Sequence, residues 1–177
     1  MYKRQQRDDI PNALYQLGLV LAKIGRRSEA LTTFGIIEST HAYSPFAEKA
    51  ALRTADVMLA SGQWEEALEK YTQISQVYTN MTDVSLSQHQ RGLVLYQLGS
   101  YADAQQVFEA VITNYPDSSF VPQASYMRGF CLYQQGQVDE AVETSKVFIE
   151  KYPDSEWTPD VIFWLAEQYH NQGKYVE

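Results

Sequence analysis

The chain has 177 residues, of which 45% are hydrophobic and 20% are charged, so it can bury a core and is not a disordered chain. Its 14 basic and 22 acidic side chains give a formal net charge of −8. This charge argues against nucleic acid and anionic membranes as partners, because both favour clustered Lys and Arg. The single cysteine excludes an internal disulfide, and nine Gly and six Pro are too few for a loop-rich all-β protein. We therefore expect helices.

The first ten residues are predicted to be a non-native or disordered start. The sequence opens with Met-Tyr-Lys-Arg-Gln, which matches the translation of a transposon mosaic end used in preparing sequencing libraries. We therefore expect the natural chain to differ here, with a genuine basic N-terminus as the alternative. On this interpretation the chain is a fragment of a longer protein.

A 37-residue period organises the rest of the chain. Glycines recur at this spacing, and an alanine follows each of the first four glycines by five residues. The glycines are Gly25, Gly62, Gly99, Gly136 and Gly173, and the alanines are Ala30, Ala67, Ala104 and Ala141. The position nine residues after each glycine holds Phe34, Tyr71, Phe108 and Ser145. The predicted repeats cover residues 11–47, 48–84, 85–121 and 122–158, followed by a partial repeat at 159–177 with a first helix only.

Each repeat is predicted to contain two helices joined by a tight turn. In the first repeat, Leu14, Leu17 and Leu21 recur at helical spacing before Gly25, which can end a helix with a positive φ. Between repeats, Tyr-Pro-Asp-Ser at 115–118 and 152–155 stops one helix. A proline or a capping residue then begins the next helix. The prolines with this predicted role are Pro11, Pro45, Pro122 and Pro159, and the capping residue is Thr158.

These positions resemble the tetratricopeptide repeat (TPR). In the first repeat the matching residues are Leu14, Leu17, Gly18, Leu21, Gly25, Ala30 and Phe34. The resemblance implies an all-α fold, a right-handed α-solenoid of stacked antiparallel helix pairs that forms one domain. The 37-residue length and the Tyr-Pro-Asp-Ser links are similar to TPR proteins of the bacterial cell envelope, including the Tol–Pal coordinator and the outer-membrane barrel-assembly lipoprotein. This similarity favours the periplasm or cell envelope as the location.

The resemblance also implies a binding surface. In the family, first helices line a concave groove that binds ligands, and one stripe of first-helix positions maps to this groove. Aromatic side chains in the stripe could anchor a peptide or protein partner, although they could equally fill contacts between adjacent repeats. The candidate groove residues are Tyr15, Leu52, Asp56, His89, Tyr96, Tyr126, Phe130, Tyr133, Phe163 and Glu167.

Two arginines occupy a first-helix position where leucine is expected. Arg91 and Arg128 either extend their guanidinium groups to solvent or pair with a carboxylate, and we favour the first arrangement because a buried unpaired charge would be costly.

No catalytic or metal-binding motif accompanies these features. The histidines His41, His89 and His170 show no metal-ligand spacing, and Cys131 is predicted to be a buried, inert thiol. We therefore expect no enzymatic activity, no cofactor and no bound metal, and we interpret the chain as an interaction scaffold. A regulatory TPR segment of a larger enzyme is the alternative, and an RNA-binding repeat is disfavoured by the acidic charge. Uncapped solenoid ends also favour self-association.

Overall fold

The computed structural model describes residues 2–78 and 84–171, with side chains from residue 9 onward. Within these ranges the chain forms nine α-helices and no strand, which confirms the all-α prediction. None of these described helices is both long and apolar enough to cross a bilayer. The helices are α1 (Tyr2–Lys23), α2 (Arg27–Thr40), α3 (Pro45–Ala60), α4 (Trp64–Val77), α5 (Val84–Gln97), α6 (Tyr101–Asn114), α7 (Val121–Gln134), α8 (Val138–Lys151) and α9 (Thr158–Asn171).

The chain divides into two compact units, residues 1–87 and residues 88–177. In the first unit α1 packs on α2, α2 on α3 and α3 on α4, and α1 also contacts α3. In the second unit α6 packs on α7, α7 on α8 and α8 on α9. Within each unit a helix mainly contacts its neighbours in sequence, as expected for stacked helix pairs. The helices α3, α5, α7 and α9 begin one to three residues before the predicted repeat boundaries.

The turn inside each helix pair is built around a glycine with positive φ. At the end of α1, Gly25 has a φ of 82°. Its amide donates to the carbonyl of Ala22 at 3.1 Å, and the Arg26 amide donates to the carbonyl of Leu21 at 2.9 Å. This pair of bonds satisfies carbonyls that the helix end would otherwise leave unpaired, and only glycine adopts this φ without steric cost. The equivalent Gly62, Gly99 and Gly136 also have positive φ, whereas Gly173 lies outside the described residues.

A serine organises the link before three of the first helices. In each case the Oγ atom accepts a hydrogen bond from the backbone amide two residues later, which fixes the entry into the helix. The pairs are Ser44 with Phe46 at 3.1 Å, Ser118 with Phe120 at 3.2 Å and Ser155 with Trp157 at 3.3 Å. Each link therefore places a large aromatic residue at the start of the next repeat.

The helix-starting prolines are confirmed at three positions and corrected at one. Pro45, Pro122 and Pro159 lie in the first turns of α3, α7 and α9, where the missing N–H costs nothing. Pro11 instead lies inside α1, which begins at Tyr2, and its side chain is fully buried. At this position α1 lacks one backbone hydrogen bond, because proline has no N–H. The backbone of residues 2–10 is therefore part of α1, and the non-native or disordered start stays a prediction.

Thr158 is predicted to cap α9, but its side chain forms a different hydrogen bond in the structure. It is the first residue of the helix, and it is 5% exposed. Its hydroxyl donates to the carbonyl oxygen of Tyr152 at 2.6 Å. The threonine therefore ties the start of α9 to the end of α8, because Tyr152 is the residue that follows the last turn of α8.

The two helices of a pair approach closely at a recurring glycine and aromatic pair. A Cβ atom added at Gly18 would lie 2.4 Å from Cε1 of Phe34, and one at Gly92 would lie 2.6 Å from Cε1 of Phe108. Both rings are fully buried. The fourth repeat differs, because Gly129 faces Ser145, and a Cβ there would meet Cγ2 of Thr144 at an ordinary 3.7 Å. The glycine is thus required sterically in the first and third repeats but not in the fourth.

This contrast predicts opposite effects of the same substitution. Gly92→Ala should lower the free energy of unfolding by about 1–3 kcal/mol, because the Phe108 ring must move. Gly129→Ala should be neutral or raise it by up to about 1 kcal/mol, because alanine favours the helix. Urea unfolding of both variants and the wild type measures the difference. Equal destabilisation by the two substitutions would contradict the packing described here.

Candidate partner-binding surface

The ten candidate groove residues divide between the two units. Tyr15, Leu52 and Asp56 lie in the first unit, where Leu52 is half-buried. The second unit contains His89, Tyr96, Tyr126, Phe130, Tyr133, Phe163 and Glu167.

Tyr15 is a core side chain rather than an exposed groove residue, which corrects its predicted role. Its ring is 9% exposed and lies 6.0 Å from the Phe34 ring and 5.7 Å from the Phe46 ring. Its hydroxyl accepts a hydrogen bond from Nε of Arg53 at 3.3 Å. The ring of Phe46 comes from the link to the next repeat, so a partner cannot reach this face of Tyr15.

Asp56 is already engaged by two side chains of the first unit. The Tyr71 hydroxyl donates to Oδ1 at 2.7 Å, and Nη1 of Arg53 donates to Oδ2 at 2.8 Å. Burial, followed by the nearby Asp56 carboxylate, raises the pKa of Tyr71, so the phenol stays protonated and remains a donor. A cavity of about 280 Å³ lies beside this network, with Leu19, Arg27, Arg53 and Asp56 among its lining residues. Asp56 therefore shapes the rim of this cavity rather than offering a free carboxylate.

His89 is also buried, contrary to its predicted place in a groove. It is 2% exposed, and its ring lies 5.8 Å from Phe108 and 5.3 Å from Phe120. Neither ring nitrogen has a hydrogen-bond partner within the described residues. Burial lowers the pKa of His89 to about 4, so the imidazole is neutral near pH 7.

The misplaced residues share one physical cause. In the first, third and fourth repeats, one first-helix position is covered by the aromatic residue of the following link. The pairs are Tyr15 with Phe46 at 5.7 Å, His89 with Phe120 at 5.3 Å and Tyr126 with Trp157 at 5.0 Å. The link aromatics Phe46, Phe120 and Trp157 lie in register with the 37-residue period, although Asp83 takes this position after the second repeat. This signal was present in the sequence.

Phe163 occupies the same first-helix position and is 66% exposed. Within residues 84–171 no helix follows α9, so no second helix covers it as α8 covers Tyr126 through Phe148 at 6.3 Å. The exposure of Phe163 thus has a packing explanation. Glu167 is exposed on the same helix, one turn further along.

A connected group of half-exposed aromatic residues remains on α5, α7 and α9 of the second unit. We call it the aromatic surface, and it consists of Tyr96, Phe130, Tyr133 and Trp164. The Trp164 ring lies 5.3 Å from Tyr133, edge to face, and 6.4 Å from Phe130. The hydroxyl of Tyr96 accepts a hydrogen bond from Nε2 of Gln134 at 3.4 Å. Tyr133 is the most open member, with 38% of its surface exposed.

Tyr126 supports this surface from beneath. Its ring contacts Phe130 at 4.8 Å and Trp157 at 5.0 Å. Burial raises the pKa of the Tyr126 phenol, and the nearby carboxylate of Asp160 raises it further. The residue is half-buried, so its substitution would affect packing as well as binding.

Trp164 is the member that sequence reasoning missed. A cavity of about 10 Å³, no more than the room for one water molecule, lies between Gly129, Ser145 and Trp164. Ser145 stands where the first and third repeats have Phe34 and Phe108, so the space next to Gly129 lacks a ring from its own repeat. Trp164 from the following helix lines that space instead. Its Nε1 atom is buried without a hydrogen-bond partner in the described part of the chain.

The prediction that the guanidinium group extends to solvent is wrong for Arg128. Its Nη1 atom forms an ion pair with Oε2 of Glu109, and its side chain is 27% exposed. Arg91 donates from Nη1 to Oε1 of Gln88 at 3.1 Å. Arg128 therefore follows the alternative that the sequence left open, a carboxylate partner, whereas Arg91 is held by an amide oxygen.

The remaining candidates are the cysteine thiol and the side chains that could bind a metal ion. Cys131 is fully buried, as predicted, and burial raises its thiol pKa to about 12, so the reactive thiolate is not formed near neutral pH. Among the described residues no group of three or more His, Cys, Asp or Glu side chains is arranged to hold a metal ion.

A family model described as tetratricopeptide repeat matches residues 11–75 and 89–156. No curated protein matches the sequence.

Solved structures resemble this chain over nearly its whole length. TPR-like repeats from Podosopora anserina named for kinesin light chain superpose with a TM-score of 0.71 at 17% identity, covering 92% of this chain and 87% of that one. MamA from Desulfovibrio magneticus RS-1 gives 0.73 at 14% identity, with 94% and 87% covered. A tetratricopeptide repeat protein from Parabacteroides merdae ATCC 43184 gives 0.68 at 21% identity, with 93% and 59% covered. Because the sequence identities are this low, the similarities show the fold alone. They confirm a TPR solenoid fold.

The buried histidine predicts a pH dependence of stability. The pKa of His89 is about 4 in the folded state and 6.5 as a model value, so the unfolded chain binds the proton first as the pH falls. Its stabilising contribution is complete above pH 6.5 and is lost as the pH falls toward 4. When the pH falls from 7 to 5, the free energy of unfolding of the wild type should drop by about 2 kcal/mol more than that of His89→Phe.

Urea unfolding at several pH values measures this difference. His89→Gln is the control, because glutamine keeps a polar group at the position but does not titrate. Both variants should lose the same pH-dependent component. A wild type whose stability changes with pH in parallel with both variants would show that His89 is not held neutral in the core.

Proposed function

Because the chain belongs to the tetratricopeptide repeat family, we propose that it is a protein–protein interaction scaffold whose second unit binds a peptide or protein partner on the aromatic surface. Repeats of this family are generally interaction modules rather than enzymes. The observation that carries the proposal is the exposed ring of Tyr133 held edge to face against Trp164, next to half-exposed Phe130. Aromatic and rigid side chains of this kind supply much of the energy at protein interfaces.

The preorganisation of these rings supports binding at this place. Tyr133 and Phe130 both touch the Trp164 ring, and Tyr126 supports Phe130 at 4.8 Å. Rings that already contact each other lose little conformational freedom when a partner docks. Less of the free energy gained by burying this apolar area is then offset by the ordering of side chains, so more of it contributes to affinity.

The chemistry around the rings favours a particular class of partner. The chain carries a formal net charge of −8, and Glu167 is exposed on α9, the helix that also carries Trp164. We expect a peptide segment with an apolar or aromatic anchor and basic flanking residues, because opposite charge steers association. We further propose that the scaffold acts in the periplasm or cell envelope, because its Tyr-Pro-Asp-Ser links resemble those of bacterial cell-envelope TPR proteins.

The test uses peptides selected for binding to the wild-type chain from a random displayed library. Tyr133→Ala combined with Tyr96→Ala should weaken binding of a selected peptide by more than about 1 kcal/mol, because a few aromatic anchors carry much of the binding energy at an interface. Fluorescence titration with the labelled peptide measures the affinity, and circular dichroism checks that helicity is unchanged.

The matched control is Val147→Ala, which removes an apolar side chain that is 56% exposed on α8. Its affinity should equal that of the wild type. Selected peptides that bind the Tyr96 and Tyr133 variant as tightly as the wild type would reject the aromatic surface as the binding site.

A further inference from the structure

The cavity of about 280 Å³ in the first unit has the features of a small-ligand site, and none of its lining residues belongs to the aromatic surface. We call it the arginine cavity. Helices α1, α2 and α3 line it with apolar side chains, two arginines and one aspartate. The apolar residues are Leu19, Ala22, Phe34, Val57 and Ala60, and the charged ones are Arg27, Arg53 and Asp56. Apolar walls with a few charged groups are typical of sites that bind small molecules.

The 37-residue period shows that the lining of this cavity is a departure from the other repeats. At later repeats Ala22 is matched by Leu59, Tyr96 and Tyr133, and Arg27 is matched by Trp64, Tyr101 and Val138. In the third repeat the rings of Tyr96 and Tyr101 meet edge to face at 5.2 Å. In the fourth repeat Tyr133 contacts Trp164, which is the equivalent of Arg53. Aromatic rings thus meet at these positions in the second unit, whereas the first unit has an alanine and two arginines beside a cavity.

Arg53 is held in a fixed orientation beside the cavity. Its Nε atom donates to the Tyr15 hydroxyl at 3.3 Å, and its Nη1 atom donates to Oδ2 of Asp56 at 2.8 Å. Oδ1 of Asp56 accepts in turn from the Tyr71 hydroxyl at 2.7 Å. The remaining guanidinium nitrogen, Nη2, donates to no other residue of the described chain, so it can donate to a ligand. A guanidinium group that is already oriented loses little conformational freedom when it binds an anion.

Arg27 supplies a second positive charge, at the first residue of α2. Its side chain is exposed, and among the described residues its guanidinium group has no ion-pair or hydrogen-bond partner. The neighbouring Arg26 differs, because it forms an ion pair with Glu29. Two arginines and one aspartate give the lining a formal charge of +1, although the whole chain carries −8. The cavity is therefore a local site for an anion in an acidic protein.

The hydrogen-bonding groups of the lining restrict the chemistry of the ligand. A guanidinium group donates and cannot accept, and both carboxylate oxygens of Asp56 already accept a hydrogen bond. A peptide segment would bring backbone N–H groups that need acceptors, whereas a carboxylate brings acceptors only. The formal charge of +1 matches a monoanion. The volume holds about ten non-hydrogen atoms, since a water molecule takes about 30 Å³ in the liquid.

We propose that the arginine cavity binds a small organic monocarboxylate with a compact apolar body. The apolar body packs against Leu19, Phe34 and Val57. The carboxylate accepts hydrogen bonds from Arg27 and from Nη2 of Arg53. This site is independent of the aromatic surface, because all of its residues belong to the first unit.

The first test compares probes of matched shape on the full chain. Phenylacetate is the probe, and phenylacetamide is its neutral match with the same arrangement of non-hydrogen atoms. Titration followed by two-dimensional amide NMR should show saturable shifts at residues 19–27 and 53–60, with a dissociation constant on the order of 1 mM or below. Phenylacetamide should bind at least about ten-fold more weakly, because it lacks the charge-assisted hydrogen bonds. Acetate should also bind about ten-fold more weakly, because it has no apolar body.

Two substitutions test the cavity itself. Ala22→Tyr introduces the residue that the third and fourth repeats have at this position, so it should fill the cavity and weaken phenylacetate binding by at least about ten-fold. Arg27→Gln should weaken binding by about three- to ten-fold, because one donor to the carboxylate loses its charge. The control is Lys49→Gln, which removes one positive charge from an exposed position on α3 that does not line the cavity. It should bind phenylacetate like the wild type.

The outcomes separate this proposal from the alternatives. No saturable shift with phenylacetate, or equal affinity for phenylacetate and phenylacetamide, would overturn it. Equal weakening by Arg27→Gln and Lys49→Gln would also overturn it, because the effect would then come from overall charge. Circular dichroism checks the fold of each variant, and the exposed position of Arg27 keeps the test valid if Ala22→Tyr destabilises the helices. The variant that combines Tyr96→Ala with Tyr133→Ala should bind phenylacetate like the wild type, so the two proposed sites can fail separately.

Discussion

The close approach of the two helices within a pair is the constraint on which the rest of the structure depends. It requires a fully buried small residue such as Ala30 or Ala104 on the second helix. It also requires a glycine such as Gly92, where a Cβ atom would collide with the Phe108 ring. Because backbones and rings interlock at this distance, the first helix can present only its remaining faces to other partners. Those faces are the ones that meet the next repeat, a ligand or another chain.

The link between repeats decides which of the remaining first-helix positions stay open. Its serine fixes the entry of the next helix and places an aromatic ring, Phe46, Phe120 or Trp157, over the preceding first helix. One position of the preceding first helix is thereby closed, as at Tyr15 and His89. The position four residues later remains half-open, as at Phe130, which belongs to the aromatic surface. A structural feature of the link therefore selects the residues that are available for binding.

Much of the fold could be predicted from the sequence, because the glycine turns, the buried alanines and the prolines at Pro45 and Pro122 are set by local chemistry. Periodicity also assigned side chains to faces of a helix, but it could not say which neighbour covers each face. Tyr15 and His89 were therefore placed in a groove although link aromatics bury them. Trp164 was missed because the space that it lines is set by Gly129 and Ser145 on two other helices. Contacts between elements, rather than patterns within one element, account for these differences.

Departures from the repeat pattern are where this chain can differ from any other stack of helix pairs. Residues shared by all repeats maintain the packing, so they carry no information about a partner. Ser145 breaks the aromatic column, and Trp164 of the next helix then lines the space and joins Tyr133 at the surface. The departure at Ser145 removes a ring contact that other repeats make within their own helix pair, and the aromatic area of Trp164 and Tyr133 becomes available to a second molecule.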